Sequence, residues 1–274
     1  MIKYVIRLMA FFCFLALFNQ ATAKQDSTKF IKLEHAEPLY IDLIRDLGAR
    51  KGEKEWNVGL GIQDNLNYDE IELLVEYEWA IANRLGLEIE VPVSLYSKNG
   101  KETIIKQPSH AFEGLKTAFQ WTFLVNPKLR TSMAFGYINK VKFTELNNIT
   151  TRNMFVGNSF NPFLVIAKRI GANFHSLVYT GPQFYKPFVK KSWENSYDVN
   201  TNFHYMITSS RNFIGIEFNK TFRNEDFDMM IRPQMRVSIA DNLMVGIVSG
   251  IPVNRENKRF QSFLRLIYEP GHKH

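Results

Sequence analysis

From Glu70 to Tyr96 the chain alternates. Ile71, Leu73, Val75, Tyr77, Trp79 and Ile81 fall on one face, against Glu70, Glu72, Leu74, Glu76, Glu78 and Ala80 on the other. After Asn83-Arg84, the run Leu85, Leu87, Ile89, Val91, Val93 and Leu95 alternates with Gly86, Glu88, Glu90, Pro92, Ser94 and Tyr96. A period of two held over ten or more residues specifies a β-strand. Strands of soluble domains are about 5–6 residues long, whereas strands that cross a membrane need about 9–11. Two strands of this length joined by two residues confine the chain to an antiparallel sheet of membrane-spanning proportions.

The unit repeats. Tight connections rich in turn residues recur at Asn126-Pro127-Lys128, Gly171-Ala172-Asn173, Ser209-Ser210-Arg211 and Ala240-Asp241-Asn242. Between them run longer polar links over 64–68, 97–109, 142–152, 186–197, 222–226 and 254–258. Strands beginning near Trp56, Glu70, Leu85, Glu113, Leu129, Phe155, Phe174, Val199, Phe213, Met229, Leu243 and Phe260 number about twelve. An even count with alternating short and long connections is the pattern of a transmembrane antiparallel up-and-down β-barrel. In that arrangement the short turns and both termini are periplasmic. The barrel is expected over 55–269, with a tail at 270–274.

Composition now has an explanation. Aromatic residues make up 14% of the chain at a mean hydropathy of only −0.20. Leu115, Phe119, Trp121 and Phe123, then Met133, Phe135 and Tyr137, then Ile214, Ile216 and Phe218 each form a one-faced apolar row. A closed barrel satisfies its backbone internally and turns such a face to lipid. The soluble alternative is a secreted lipocalin-like or jelly-roll protein.

The first 23 residues read as a secretory leader: Lys3 and Arg7, an apolar run from Leu8 to Phe18, then Ala21-Thr22-Ala23. Cys13, the single cysteine, lies inside that run, so disulfides and thiolate catalysis are excluded beyond it. Losing Lys3 and Arg7 lowers the formal net charge of +7 by two, and no basic block remains to suggest nucleic acid.

Residues 24–54 lack the two-residue period. Leu39, Tyr40, Leu43, Ile44 and Leu47 share a helical face opposite Asp42, Arg45 and Asp46, with Pro38 before and Gly48 after. This predicts a short amphipathic helix, either periplasmic or tucked into the barrel mouth. The string His35, Ala36, Glu37, Pro38, Leu39, Tyr40, Ile41, Asp42, continuing to Gly59, resembles the signature of the bacterial HAEPLYID family. That resemblance implies a secreted protein and transfers no activity. The hairpins Trp79–Pro92 and Ala240–Pro252 resemble, more generically, barrels grouped with a phenol-degradation transport family. His35 and Glu37 are two ligand types without a third, so helix capping is favoured over metal, and no cofactor is expected.

The alternates of the greasy faces carry the remaining chemistry. Glu72, Glu76, Glu88 and Glu90 point inward on one side, with Lys116, Arg130, Arg232, Arg236 and Arg265 as the compensating charges. The expectation is a porin-like channel or binding barrel for small polar or charged solutes. A non-conducting structural barrel with an ion-paired lumen is the alternative. The expected partners are outer-membrane lipids and the barrel-assembly machinery, and oligomeric state is left open. A lipid-modifying enzyme is disfavoured. His175-Ser176 is followed by Leu177-Val178, where outer-membrane phospholipases carry asparagine-glycine, and His204 falls on the inward face.

Overall fold

The computed structural model describes residues 31–41, 43–98, 108–150, 153–224, 226–254 and 258–271. The expected leader and the last three residues of the tail lie outside the described residues, as does Asp42.

Thirteen strand segments follow in chain order: β1 (Lys54–Asn65), β2 (Tyr68–Ala82), β3 (Leu85–Lys98), β4 (Ala111–Phe112), β5 (Gly114–Asn126), β6 (Thr131–Phe143), β7 (Phe155–Ile170), β8 (Phe174–Pro187), β9 (Glu194–Met206), β10 (Phe213–Arg223), β11 (Asp226–Ala240), β12 (Leu243–Pro252) and β13 (Lys258–Tyr268). β4 and β5 are one stave broken at Glu113, and both pair with β3, so the barrel has twelve staves. Each stave pairs antiparallel with its sequence neighbour. β1 also pairs with β13, Trp56 opposite Tyr268 and Gly61 opposite Phe263, which closes the cylinder and leaves no free edge.

At one end sit the tight turns, the start of β1 and the end of β13. Three of these turns put a non-glycine residue at positive φ, Arg84 at 67°, Arg130 at 51° and Ser209 at 58°. The opposite connections are less uniform than expected. The links at 64–68 and 222–226 shrink to Leu66-Asn67 and residues 224–225, because β1, β2, β10 and β11 extend through the polar residues assigned to loops. Charged residues at a barrel rim meet water on both faces, so they do not end a strand.

Alternation decides the faces. Val58, Leu60, Ile62, Leu73, Val75, Ile89, Val91, Leu115, Phe135, Ile214, Met235, Ile247 and Leu264 are exposed on the outer wall. Asn57, Glu76, Glu88, Gln234 and Arg265 are buried within. Aromatic residues gather near both rims: Trp56, Tyr77 and Trp79 at the turn end, Tyr68 with Tyr96 and Phe222 with Phe227 at the other. At about 3.3 Å per residue and about 40° of tilt, the 12 residues of β1 rise about 30 Å.

The predicted helix over residues 39–47 is not formed. The described residues from 31 to 53 contain no helical turn. Arg45 takes φ 67°, in the left-handed region, and Gly48 takes φ 97°, so the chain reverses where a helix would continue. A tight turn from Asp46 O to Ala49 N, 3.0 Å, follows.

Candidate functional site

The walls of the lumen differ. On β1 to β3, Glu55, Glu76, Glu78, Glu88 and Glu90 are all buried. Asn57 Nδ2 faces three of them, at 2.9 Å from Glu55, 2.7 Å from Glu76 and 3.1 Å from Glu78. Lys116 of β5 reaches Glu88 at 3.0 Å and Glu90 at 2.6 Å. Arg265 of β13 comes within 3.8 Å of Glu76 across β1, where the room left by Gly59 and Gly61 is taken by Leu74, Phe263 and Glu72. One carboxylate oxygen from each of Glu76, Glu88 and Glu90 lies within 4.8 Å of the others, which is a metal-like cluster. The ammonium of Lys116 and the guanidinium of Arg265 stand where a cation would.

The other expected residues divide. Glu72 is inward, opposite Gly61 in the β1–β2 register, and makes no ion pair with Arg265. Arg232 and Arg236 are buried inside without touching the glutamates. Arg232 donates to Asn219 at 2.7 Å and Gln261 at 3.1 Å, and its guanidinium lies 3.3 Å over the Tyr40 ring. Arg236 donates to the Arg211 carbonyl at 3.2 Å and lies 4.8 Å over Phe213. Arg130 is a correction. It occupies the exposed turn before β6 at positive φ and donates to the Gly171 carbonyl, so the break in alternation at the turn takes it out of the lumen.

The HAEPLYID segment lies inside the barrel, and the wall satisfies its backbone. Ala36 N donates to His175 Nδ1 at 2.7 Å, Leu39 N to Gln234 Oε1 at 2.8 Å and Ile41 N to Glu217 Oε1 at 3.1 Å. Arg45 N donates to Glu78 Oε2 at 2.7 Å and Gly48 N to Thr122 Oγ1 at 3.2 Å, while Gln120 Nε2 donates to the Arg45 carbonyl at 2.8 Å. Buried N–H groups need partners, and here side chains supply what a helix would have supplied internally. The apolar side chains have their own wall. Ile41, Leu43, Ile44 and Leu47 pack on Ala118, Ala134, Phe163, Val165, Ala167, Leu177 and Tyr179, the inward residues of β5 to β8. Ala36 and Leu39 pack on Leu74, Phe213, Met244, Val248 and Phe263.

Arg45 ties the segment to the acidic wall, 2.6 Å from Glu55 and 4.0 Å from Glu78. At the turn-end mouth Lys32 bridges Asp46 at 2.7 Å and Glu53 at 3.1 Å. Burial disfavours the Asp46 charge, but Lys32, a hydrogen bond from Glu37 and Arg45 together hold it well below the usual carboxylate range. Burial first, then the Asp46 charge, pushes Glu37 the other way, well above the usual carboxylate range. His35 bonds Ser132 Oγ at 2.9 Å through Nε2. Burial first, then His175 and the Arg169 charge, lowers it from 6.5 to about 4.

Adjacent strand residues face opposite ways, so His175 is inside and Ser176 is not its partner. The His35–Ser132 contact has no orienting acid, since His35 Nδ1 is without a hydrogen-bond partner. Sequence reasoning missed Arg45, Glu55, Glu78 as a backbone acceptor, and the apolar inner face. Its signal was the run Pro162-Phe163-Leu164-Val165-Ile166-Ala167, apolar on both faces, which demands something apolar within the barrel.

The family profile described as HAEPLYID-like matches residues 31–269. No curated protein matches the chain. Among solved structures, the chain is similar to an outer membrane channel from Pseudomonas putida F1, with TM-score 0.66 and 11% identity over 84% of this chain and 99% of that one. It is also similar to the KdgM porin, with TM-score 0.54 and 14% identity over 78% of this chain and 98% of that one. A second KdgM structure, in complex with disordered oligogalacturonate, gives TM-score 0.53 and 14% identity over the same shares.

Proposed function

The chain belongs to the HAEPLYID-like family, and we propose that it is a bacterial outer-membrane channel for small polar or charged solutes. The observation that carries this reading is a charge-lined lumen inside a wall whose outer face is apolar, with aromatic residues at both rims. The turn end then faces the periplasm and holds both termini of the barrel. In the other half, Gln63, Glu72, Asn200, Asn219, Arg232 and Gln261 form a polar inner surface, with Arg232 stacked on Tyr40 of the inserted segment. Opposed acidic and basic groups across such a passage discriminate by charge rather than by shape. The likeness to channel and porin structures supports the reading at the level of fold.

A second reading, a non-conducting barrel, is favoured by the segment that occupies the turn-end half of the lumen. Purified protein in a planar bilayer separates the two. Discrete ohmic conductance with a non-zero reversal potential in a salt gradient is the expected result. A silent bilayer containing folded protein would sink the channel reading in favour of the structural one.

A further inference from the structure

At the turn end a cavity of about 980 Å³ lies between the inserted segment and the barrel wall. Ligand sites are commonly of this size. Most of its charges are spoken for. Asp46 and Glu53 hold Lys32, Glu269 holds Arg211 at 2.7 Å, and Arg45 is held by Glu55. Glu37 is hydrogen-bonded to Asp46, and Glu34 is exposed.

Two guanidinium groups in the lining are different. Arg236 is only 7% exposed, yet among the described residues no carboxylate lies within 4.0 Å of it; its Nε holds the Arg211 carbonyl. Arg169, the cross-strand partner of His175, also has no carboxylate that close, and its Nε is buried without a hydrogen-bond partner. Beside Arg169, and lining the same cavity as Arg236, is His175, 5% exposed, whose Nδ1 accepts from Ala36 while its Nε2 has no partner. The His35 ring stands 6.2 Å away with Nδ1 likewise unpaired. Glu37, Asp46 and Glu55 act on Arg236 only from beyond ion-pair distance, and a buried cation without a contacting counter-charge is costly. Guanidinium forks beside imidazole donors match the planar or tetrahedral oxygens of an oxyanion, bound through charge-assisted hydrogen bonds.

We propose that Arg169, Arg236, His175 and His35 form a binding site for a small oxyanion, a carboxylate or phosphate group, reached from the turn end of the barrel. Both guanidinium groups come from the wall and one imidazole from the inserted segment, so an anion there bridges the two. The site stands apart from the conduction reading, because it depends on the cavity and not on an open passage.

The test is isothermal titration of the full chain in detergent with inorganic phosphate and with acetate, at constant ionic strength set by chloride. Saturable uptake of about one anion per chain is expected. Phosphate uptake alone marks a phosphate site and acetate uptake alone a carboxylate site; either sustains the proposal. Arg236→Gln and Arg169→Gln should each weaken binding about tenfold or more, near 1.4 kcal/mol. Arg130→Gln, on the exposed turn, should bind as the parent does. Heat-modifiable migration reports whether each variant is folded. Should Arg236→Gln fail to fold, Arg169→Gln, whose side chain is half-buried, decides the matter. No saturable uptake of either anion, or uptake unchanged in the folded arginine variants, would overturn the site. A conducting barrel that binds no anion removes only this proposal, and a silent barrel that binds one removes only the channel.

Discussion

The carboxamide of Asn57 sits among Glu55, Glu76 and Glu78, while the formal charges that balance them reach in from Arg45 and Arg265. Such an arrangement is sensitive to the removal of one partner, because the carboxylate left behind stays buried. Arg265→Ala is expected to lower unfolding stability by about 3–5 kcal/mol. Adding Glu76→Gln should recover part of that loss, and strict additivity in the double-mutant cycle would remove the pairing. His35 gives a second residue-scale test. Its imidazole titrates near 4 in the folded chain against 6.5 ordinarily, so folding excludes a proton that the unfolded chain binds. Its contribution is intact above about pH 6.5 and is lost as pH falls toward 4, by about 1–3 kcal/mol. His35→Gln should flatten that part of the pH–stability curve. An unchanged slope between pH 6.5 and 4 would show that the ring is hydrated.

Among the elements, β3 and β12 each have a glycine against which the inserted segment is seated. A Cβ on Gly86 would stand 2.4 Å from the Ile44 carbonyl oxygen, and one on Gly246 would stand 2.5 Å from Leu39 Cδ2. The first clash is with backbone held in a turn, the second with the end of a flexible side chain. Gly86→Ala should therefore cost about 1–3 kcal/mol, and Gly246→Ala less, in urea unfolding of refolded protein. The reverse order would mean that the segment is more loosely seated at Ile44 than at Leu39. The strands themselves were legible because alternation is local: every residue from Ile71 to Leu95 reports its own face. The segment was not, because its conformation answers to Glu78, Gln120, His175, Glu217 and Gln234, which no nearby residue announces. Leu39, Leu43, Ile44 and Leu47 are buried as the helical face required, yet by a wall that surrounds them, and so without a helix. Arg265 was placed by closure and parity, whereas Arg232 and Arg236 found ring faces that parity alone does not show.

For the whole molecule, the outer face sets the solvent. Ile89→Arg puts a charge on the exposed apolar band and should cost about 2–4 kcal/mol if that band lies in lipid. Equal folding of the variant and its parent in vesicles would argue against a bilayer setting. Whether the segment obstructs passage can be read with a lock. Leu39 Cγ lies 3.2 Å from where a Cβ on Gly246 would stand, and no cysteine follows Cys13. In the channel reading, an oxidised Leu39→Cys, Gly246→Cys pair should hold conductance at its lowest level, and reductant should raise it. Equal currents in both states would mean that solutes pass beside the segment. The same segment also dictates a timetable. Its bond to Glu217 spans 176 positions of sequence, and its bond to Gln234 spans 195. Contacts that distant form late, since their loop entropy is met only when most of the chain is in place. The first-made residues of the barrel must therefore wait, extended and open to proteases, for strands synthesised near the end. Stapling of the seam between β1 and β13 then encloses a strand of chain that was there before the walls.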